Sequence, residues 1–371
     1  MNKLNRLIRR WYLFLPVGLV CAGILVPLTY LVLRAFQADL VTLSEVVLRW
    51  KNLVLLFNTV TLAVGVLVVT TLISLPLAWL TARVDFAGRS LFTLLGVLPL
   101  AVPGYVMAYV LLATTGGYGT LARLFDVYVP RLSGYSGALI ALSLTTYPYL
   151  FLNLRTSLLG MDPQLEESAR SLGSGPVEVF FTVILPQLRP GFLAGGLLVG
   201  LHVLGDFGVV SLMRFDTFSY ALYLQYTASY DRIYAAWLAL FMLLMTVGAF
   251  ALEAYLLKGL IFHSDREEGS QQTKLYNPGA WTVPSYLFAG TVGFLSVGLP
   301  VLTVGYWMLG VSPSTFAWGN LVGALWNSVS ASVPAALIAA ALAVPLAYVG
   351  VRYDSFWARG FERVAYLGYA T

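Results

Sequence analysis

The sequence is poor in the residues that build water-facing folds and catalytic centres. Only 11% of its 371 residues are charged, and it has one cysteine, Cys21, and two histidines, His202 and His263. A soluble domain carries about 25% charged residues because its shell faces water, and this chain cannot make such a shell. The lone cysteine excludes an internal disulfide framework and a cysteine-based metal site. No His, Cys or Asp cluster has ligand spacing, so no metal site is expected. Also missing are the G-x-x-x-x-G-K-[ST] phosphate loop, the G-x-S-x-G elbow and the H-E-x-x-H zinc motif, so the chain is expected neither to hydrolyse ATP nor to be an enzyme. The 34 Gly and 17 Pro show no three-residue period, which excludes collagen-like and low-complexity chains.

What is there is apolar. Hydrophobic residues make up 59% of the chain and mean hydropathy is +0.80, the composition of an integral membrane protein surrounded by lipid. A helix needs ~20 apolar residues to cross a ~30 Å hydrocarbon core. Such runs lie at about 12–33, 57–82, 90–114, 137–159, 191–213, 233–257, 284–309 and 325–351, and a ninth begins near Phe361. Barrel strands alternate over ~10 residues and do not fit these continuous runs. With a cytoplasmic N-terminus, fifteen Lys and Arg fall on inside segments and seven on outside ones, the asymmetry that sets orientation. The net charge of +5 is therefore read as a topology signal, and no nucleic-acid partner is expected.

An internal repeat organises these spans. The segment from Asn58, NTVTLAVGVLVVTTLISLPLAWLTARVD, aligns without a gap on NSVSASVPAALIAAALAVPLAYVGVRYD from Asn327. Asn58, Pro76, Arg83 and Asp85 match Asn327, Pro345, Arg352 and Asp354. The Asn pair suits helix N-caps at the outer surface, and the Pro pair suits kinks whose freed carbonyls a neighbouring helix can satisfy. Six spans separate the copies, so the duplication is parallel. The expected organisation is a six-span permease unit over 1–258, a cytoplasmic linker over 259–283 and the start of a second unit over 284–371. On the same register the second unit reads as cut short.

One inside loop stands out, from about Gly160 to Pro190. Asp162-Pro163 is a helix start, Gly173 suits the left-handed position that ends a helix, and Gly175-Pro176 opens a second short helix. Within it, Glu167-Ser168-Ala169, three residues, Gly173, nine residues and Val183-Ile184-Leu185-Pro186 resemble the EAA loop of ABC-importer permeases, with Ser168 and Val183 as mild departures. The resemblance implies a coupling helix that docks on a separate cytoplasmic ABC ATPase dimer, where ATP and Mg are bound. It implies that Glu167, Ala169 and Gly173 face the ATPase while Leu185 and Pro186 anchor the loop. It implies the type I ABC importer fold, all-α, as a six-span bundle with an incomplete second copy, in a bacterial inner membrane. The single-chain, two-copy form and the stretch from Leu204-Gly205-Asp206-Phe207-Gly208 to Tyr223-x-Gln225-Tyr226 resemble ferric-iron importer permeases. Thiamine, polyamine, sulfate and phosphonate permeases share that architecture. Iron would then be delivered by an extracytoplasmic binding protein, and this chain would hold no cofactor.

Two residues stand out for the pathway. Asp206 is the only acidic residue near the middle of an expected span, and a carboxylate in lipid costs about 2.5–3.5 kcal/mol on insertion scales, so it should face the bundle interior or water. His202 lies one turn earlier on the same face. The pair either lines the translocation path or a gate, or forms a satisfied polar contact between helices. An ion-coupled secondary transporter is the competing class, but such proteins favour inverted repeats and several intramembrane ionisable groups.

Overall fold

The computed structural model describes residues 11–37, 47–85, 87–229, 231–258, 275–310 and 318–352, and every regular element among them is helical. Most of the expected linker, the segment from Phe361 and the basic residues Lys3, Arg6, Arg9 and Arg10 lie outside the described residues. Lipid supplies no hydrogen-bond partners, so a crossing segment must satisfy its own backbone, and a helix does so. In chain order the helices are α1 (Trp11–Ala35), α2 (Trp50–Arg83), α3 (Arg89–Val97, running into a 3-10 turn at Leu98–Ala101), α4 (Gly104–Thr114), α5 (Thr120–Phe125) and α6 (Gly134–Leu159). Next come α7 (Pro163–Ser171), α8 (Pro176–Val179, continued by a π turn at Phe180–Ile184 and by Leu185–Gln187), α9 (Arg189–Gly205), α10 (Gly208–Leu212) and α11 (Phe218–Leu224). The last are α12 (Arg232–Leu257), α13 (Thr282–Gly293, with a π turn at Phe294–Gly298), α14 (Leu299–Leu309) and α15 (Trp318–Arg352).

Among the described residues, six stretches are continuous, long and apolar enough to cross a membrane. The run expected as one span at 90–114 is instead two helices meeting at 97°. Pro103 explains the break: a residue before proline is pushed out of the helical region, and Val102 is extended at φ −92°, ψ 110°. The run at 191–213 likewise stops at Gly205, where Asp206 is extended at φ −73°, ψ 120°. Asn58 and Asn327 are not caps, because α2 starts at Trp50 and α15 at Trp318 and both Asn lie well inside their helices.

The chain forms two compact units. The larger holds 49–224 and 248–306, with α6 at its centre against α2, α4 and α9. Between helices in lipid there is little hydrophobic drive, so small residues and interhelical hydrogen bonds carry the packing. Accordingly α6 buries Gly137, Ala138, Ala141, Ser143, Thr145 and Thr146 beside Tyr147, Leu150, Phe151 and Leu154, and Ser74 Oγ donates to the Tyr147 carbonyl at 2.8 Å. On α9, a Cβ at Gly195 would stand 2.9 Å from the Leu150 backbone, so only glycine lets the two helices approach this closely. The α13 stretch belongs to this unit too: Tyr286 donates to the Ala87 carbonyl at 2.7 Å, and Tyr147 and Ser296 hydroxyls lie 3.4 Å apart. In the smaller unit α1 packs along α15, and Trp237 on α12 donates its indole N–H to the Ala35 carbonyl at 3.0 Å.

Candidate functional site

The loop singled out in the sequence is a capped helix followed by a shorter, bent one. Asp162 Oδ1 accepts the Gln164 N–H at 2.9 Å, and Pro163 holds the first helical position of α7. At the other end Gly173 has φ +94°, and the Ser174 N–H returns to the Ala169 carbonyl at 3.1 Å. That six-residue closure needs a left-handed residue, which glycine supplies without a Cβ clash.

Which way α7 faces is decided by two adjacent glutamates. Glu167 and Gly173 are exposed, whereas Ala169 is half-buried and packs on the core. Glu166, which the motif does not include, is only 5% exposed, and so is its partner Arg83 at 1%. Arg83 Nη2 lies 2.9 Å from Glu166 Oε1, an ion pair whose N–H is not aimed at the oxygen, since neither atom makes a hydrogen bond among the described residues. Tyr276 adds the alignment that the pair lacks: its hydroxyl donates to Glu166 Oε2 at 2.5 Å and accepts from Arg170 Nη2 at 2.9 Å. Burial and the Glu166 carboxylate push the Tyr276 phenol above its ordinary value, so it remains a donor throughout the physiological range. These groups line a cleft of about 300 Å³ between α7, the end of α2 and Tyr276.

In the second half of the loop Val179, Ile184 and Leu188 are buried, Leu185 is exposed and Pro186 is half-buried. A π turn inserts an extra residue into the helical register, and the one at Phe180–Ile184 turns Ile184 inward in place of Leu185. Phe180 meets Trp79 of α2 edge-on at 5.8 Å.

A second polar region forms where both broken helices meet. The N–H of Asp206 donates to the His202 carbonyl at 3.0 Å. Asp206 Oδ1 accepts from Val209 N at 2.9 Å, and its carbonyl accepts from Ser219 Oγ at 2.7 Å. A Cβ at Gly104, directly after the Pro103 break, would stand 3.0 Å from Val209 and 3.6 Å from Asp206 Oδ2. His202 is half-buried, with its ring 5.7 Å from that of Tyr149. Asn58 Nδ2 donates to the Asp216 carbonyl at 2.9 Å, and Thr59 Oγ1 accepts from the Phe218 N–H at 3.2 Å.

The family described as "Binding-protein-dependent transport system inner membrane component" matches residues 74–261, just over half of the chain, a stretch that includes Arg83, Glu166, Arg170, His202 and Asp206. The chain belongs to this family. Among its relatives, the Fe(3+)-transport system permease protein FbpB 2 of Haemophilus influenzae is 29% identical over 97% of this chain and 69% of its own length. The molybdenum transport system permease protein ModB of Escherichia coli is 35% identical over 43% of this chain and 69% of its own. The sulfate transport system permease protein CysT of Salmonella typhimurium is 32% identical over 52% and 69%. Among solved structures, a chain of a bacterial alginate ABC transporter superposes with a TM-score of 0.55 at 16% identity, over 69% of this chain and 96% of that one. This is therefore a multi-pass inner-membrane permease component with an ABC importer fold.

Sequence reasoning about this permease missed Glu166, Arg170 and Tyr276. A signal for the first two was present: Glu166 and Arg170 stand four residues apart, an ion-pairing interval on a helix, and Arg83 already stood out in the repeat. Nothing in the sequence marked Tyr276, whose role depends on a contact across more than a hundred residues.

Proposed function

We propose that this permease carries Fe(III), handed over by an extracytoplasmic binding protein and driven by a cytoplasmic ABC ATPase dimer that holds the ATP and Mg. The N-terminus is then cytoplasmic, and α7 with the loop 160–190 is the coupling element. The exposed Glu167 beside the buried Glu166 carries the coupling reading. One acid is left for a partner while its neighbour ties the helix to α2, so a push on the outer face moves a transmembrane helix rather than a slack loop. Glu167, Ala169, Gly173, Leu185 and Pro186 belong to that lever.

Iron is favoured because the ferric relative aligns over nearly the whole chain, both repeat copies included, whereas the molybdate and sulfate relatives align over about half of it. The two broken helices fit a pathway, because irregular backbone at membrane depth is tolerated where protein or water covers it. His202 and Asp206 sit at that break and are proposed to line the path or its gate. The test is a pull-down of the tagged permease from its native membrane, followed by uptake of radiolabelled Fe(III), molybdate and sulfate. An ATPase subunit should come down with the chain, and Fe(III) alone should accumulate. Uptake of molybdate or sulfate in place of Fe(III) reassigns the solute and leaves the importer class intact. Absence of any ATPase removes the class.

A further inference from the structure

Tyr276 lies on the stretch that leads into α13, far in sequence from the coupling loop, yet it touches both the loop and α2. Its N–H donates to the Arg83 carbonyl at 2.8 Å, and its carbonyl accepts the Asp85 N–H at 3.0 Å. Carbonyls in the last turn of a helix have no partner within the helix, and Tyr276 supplies one at the end of α2. The ring stacks on Trp79 at 5.9 Å and 14°, and the Arg170 guanidinium carbon lies 5.1 Å from its centroid. The hydroxyl then completes Glu166, one carboxylate oxygen facing Arg83 and the other accepting from Tyr276. Backbone, ring and hydroxyl thus engage α2 and α7 together.

We propose that Tyr276 is a positioning residue for coupling: it clamps α7 to the end of α2, so that the stretch entering the second copy and the coupling helix of the first move as one body. This rests on the reading of α7 as the coupling helix. Tyr276 need not touch nucleotide or solute, because it acts through Glu166 and Arg170.

Tyr276→Phe separates the hydroxyl from the rest, keeping the backbone bonds and the ring stack. A hydrogen bond to a buried charge shifts a two-position equilibrium by about tenfold or more. Amide hydrogen exchange across 163–171 of the membrane-embedded Tyr276→Phe chain should therefore quicken about tenfold, with 138–154 of α6 unchanged. Stimulation of ATP turnover by the Fe(III)-loaded binding protein should fall by a similar factor while the ATPase stays bound. Unchanged exchange in 163–171, or an increase spread equally over α6, overturns the clamp, and exchange can be read even where the complex assembles poorly. Normal stimulation in a chain whose α7 exchange has quickened overturns the coupling role. If the unaltered chain brings down no ATPase, the coupling reading has failed whatever Tyr276→Phe does.

Discussion

At the scale of single residues, the buried Arg83–Glu166 pair and the carboxylate of Asp206 make opposite demands on their surroundings. Taking two charges out of water is costly, and their attraction roughly offsets that cost; removing one partner leaves the other stranded, at about 3–5 kcal/mol. Glu166→Leu or Arg83→Met alone should thus lower the thermal stability of the detergent-purified protein by about that much, whereas the double variant should lie close to the parent. Additive losses in the double variant would mean the pair is not coupled. Asp206 offers a finer comparison. Its Oδ1 caps the Val209 N–H, a task that Asn performs about as well as Asp and Ala does not. If capping is its whole role, Asp206→Asn retains uptake and only Asp206→Ala loses it, with about 1 kcal/mol of stability. The proposed place in the path predicts that Asp206→Asn also impairs uptake, because the charge itself is needed there.

At the scale of elements, the loop over 160–190 was legible because its ends are written in local chemistry. Asp162-Pro163 and Gly173 each act through their own backbone, so sequence alone could place them, and both do what their residue types dictate. The span breaks were less legible. A break at Pro103-Gly104 was visible, but the apolar runs on both sides of it hid the 97° bend. At the Asp206 break the partners Ser219 and Gly104 come from other elements, and nothing local in the sequence announces them. Orientation of the α7 faces was hidden for the same reason, since only the position of Arg83 tells Glu166 from Glu167. Gly173→Ala tests the loop at this scale. Space beside Gly173 is open, so the penalty comes from the left-handed backbone alone, about 1–2 kcal/mol. The variant should fray the end of α7 and weaken retention of the ATPase on a column, while leaving thermal unfolding of the bundle nearly unchanged. Full retention would show that the helix end does not contribute to docking.

At the scale of the whole molecule, composition alone indicated a membrane protein, and the Lys and Arg distribution gives only an expected direction. The helical fold and the importer family follow those expectations; which solute passes is not written in composition, because specificity depends on a few contacts rather than on bulk hydropathy. Orientation can be checked directly, since Cys21 is the sole cysteine. In a Cys21→Ala background, Leu172→Cys and Tyr118→Cys introduce thiols at positions 87% and 91% exposed. A membrane-impermeant maleimide should label Tyr118→Cys in intact spheroplasts and Leu172→Cys only after the membrane is opened. Labelling of Leu172→Cys from outside would invert the topology.

The length of α2 has a mechanical consequence. Its 34 residues, at 1.5 Å each, make a rod about 51 Å long, some 20 Å more than the hydrocarbon core. About two turns in from its start it grips the 216–218 turn through Asn58 and Thr59, and at its last residue it holds Glu166 through Arg83. A helix resists changes in length, so a displacement of the Arg83 end is carried along α2 toward Asn58. With α7 in its proposed coupling role, the far side of the membrane could register a nucleotide-driven stroke without any relay of small side-chain rearrangements between them.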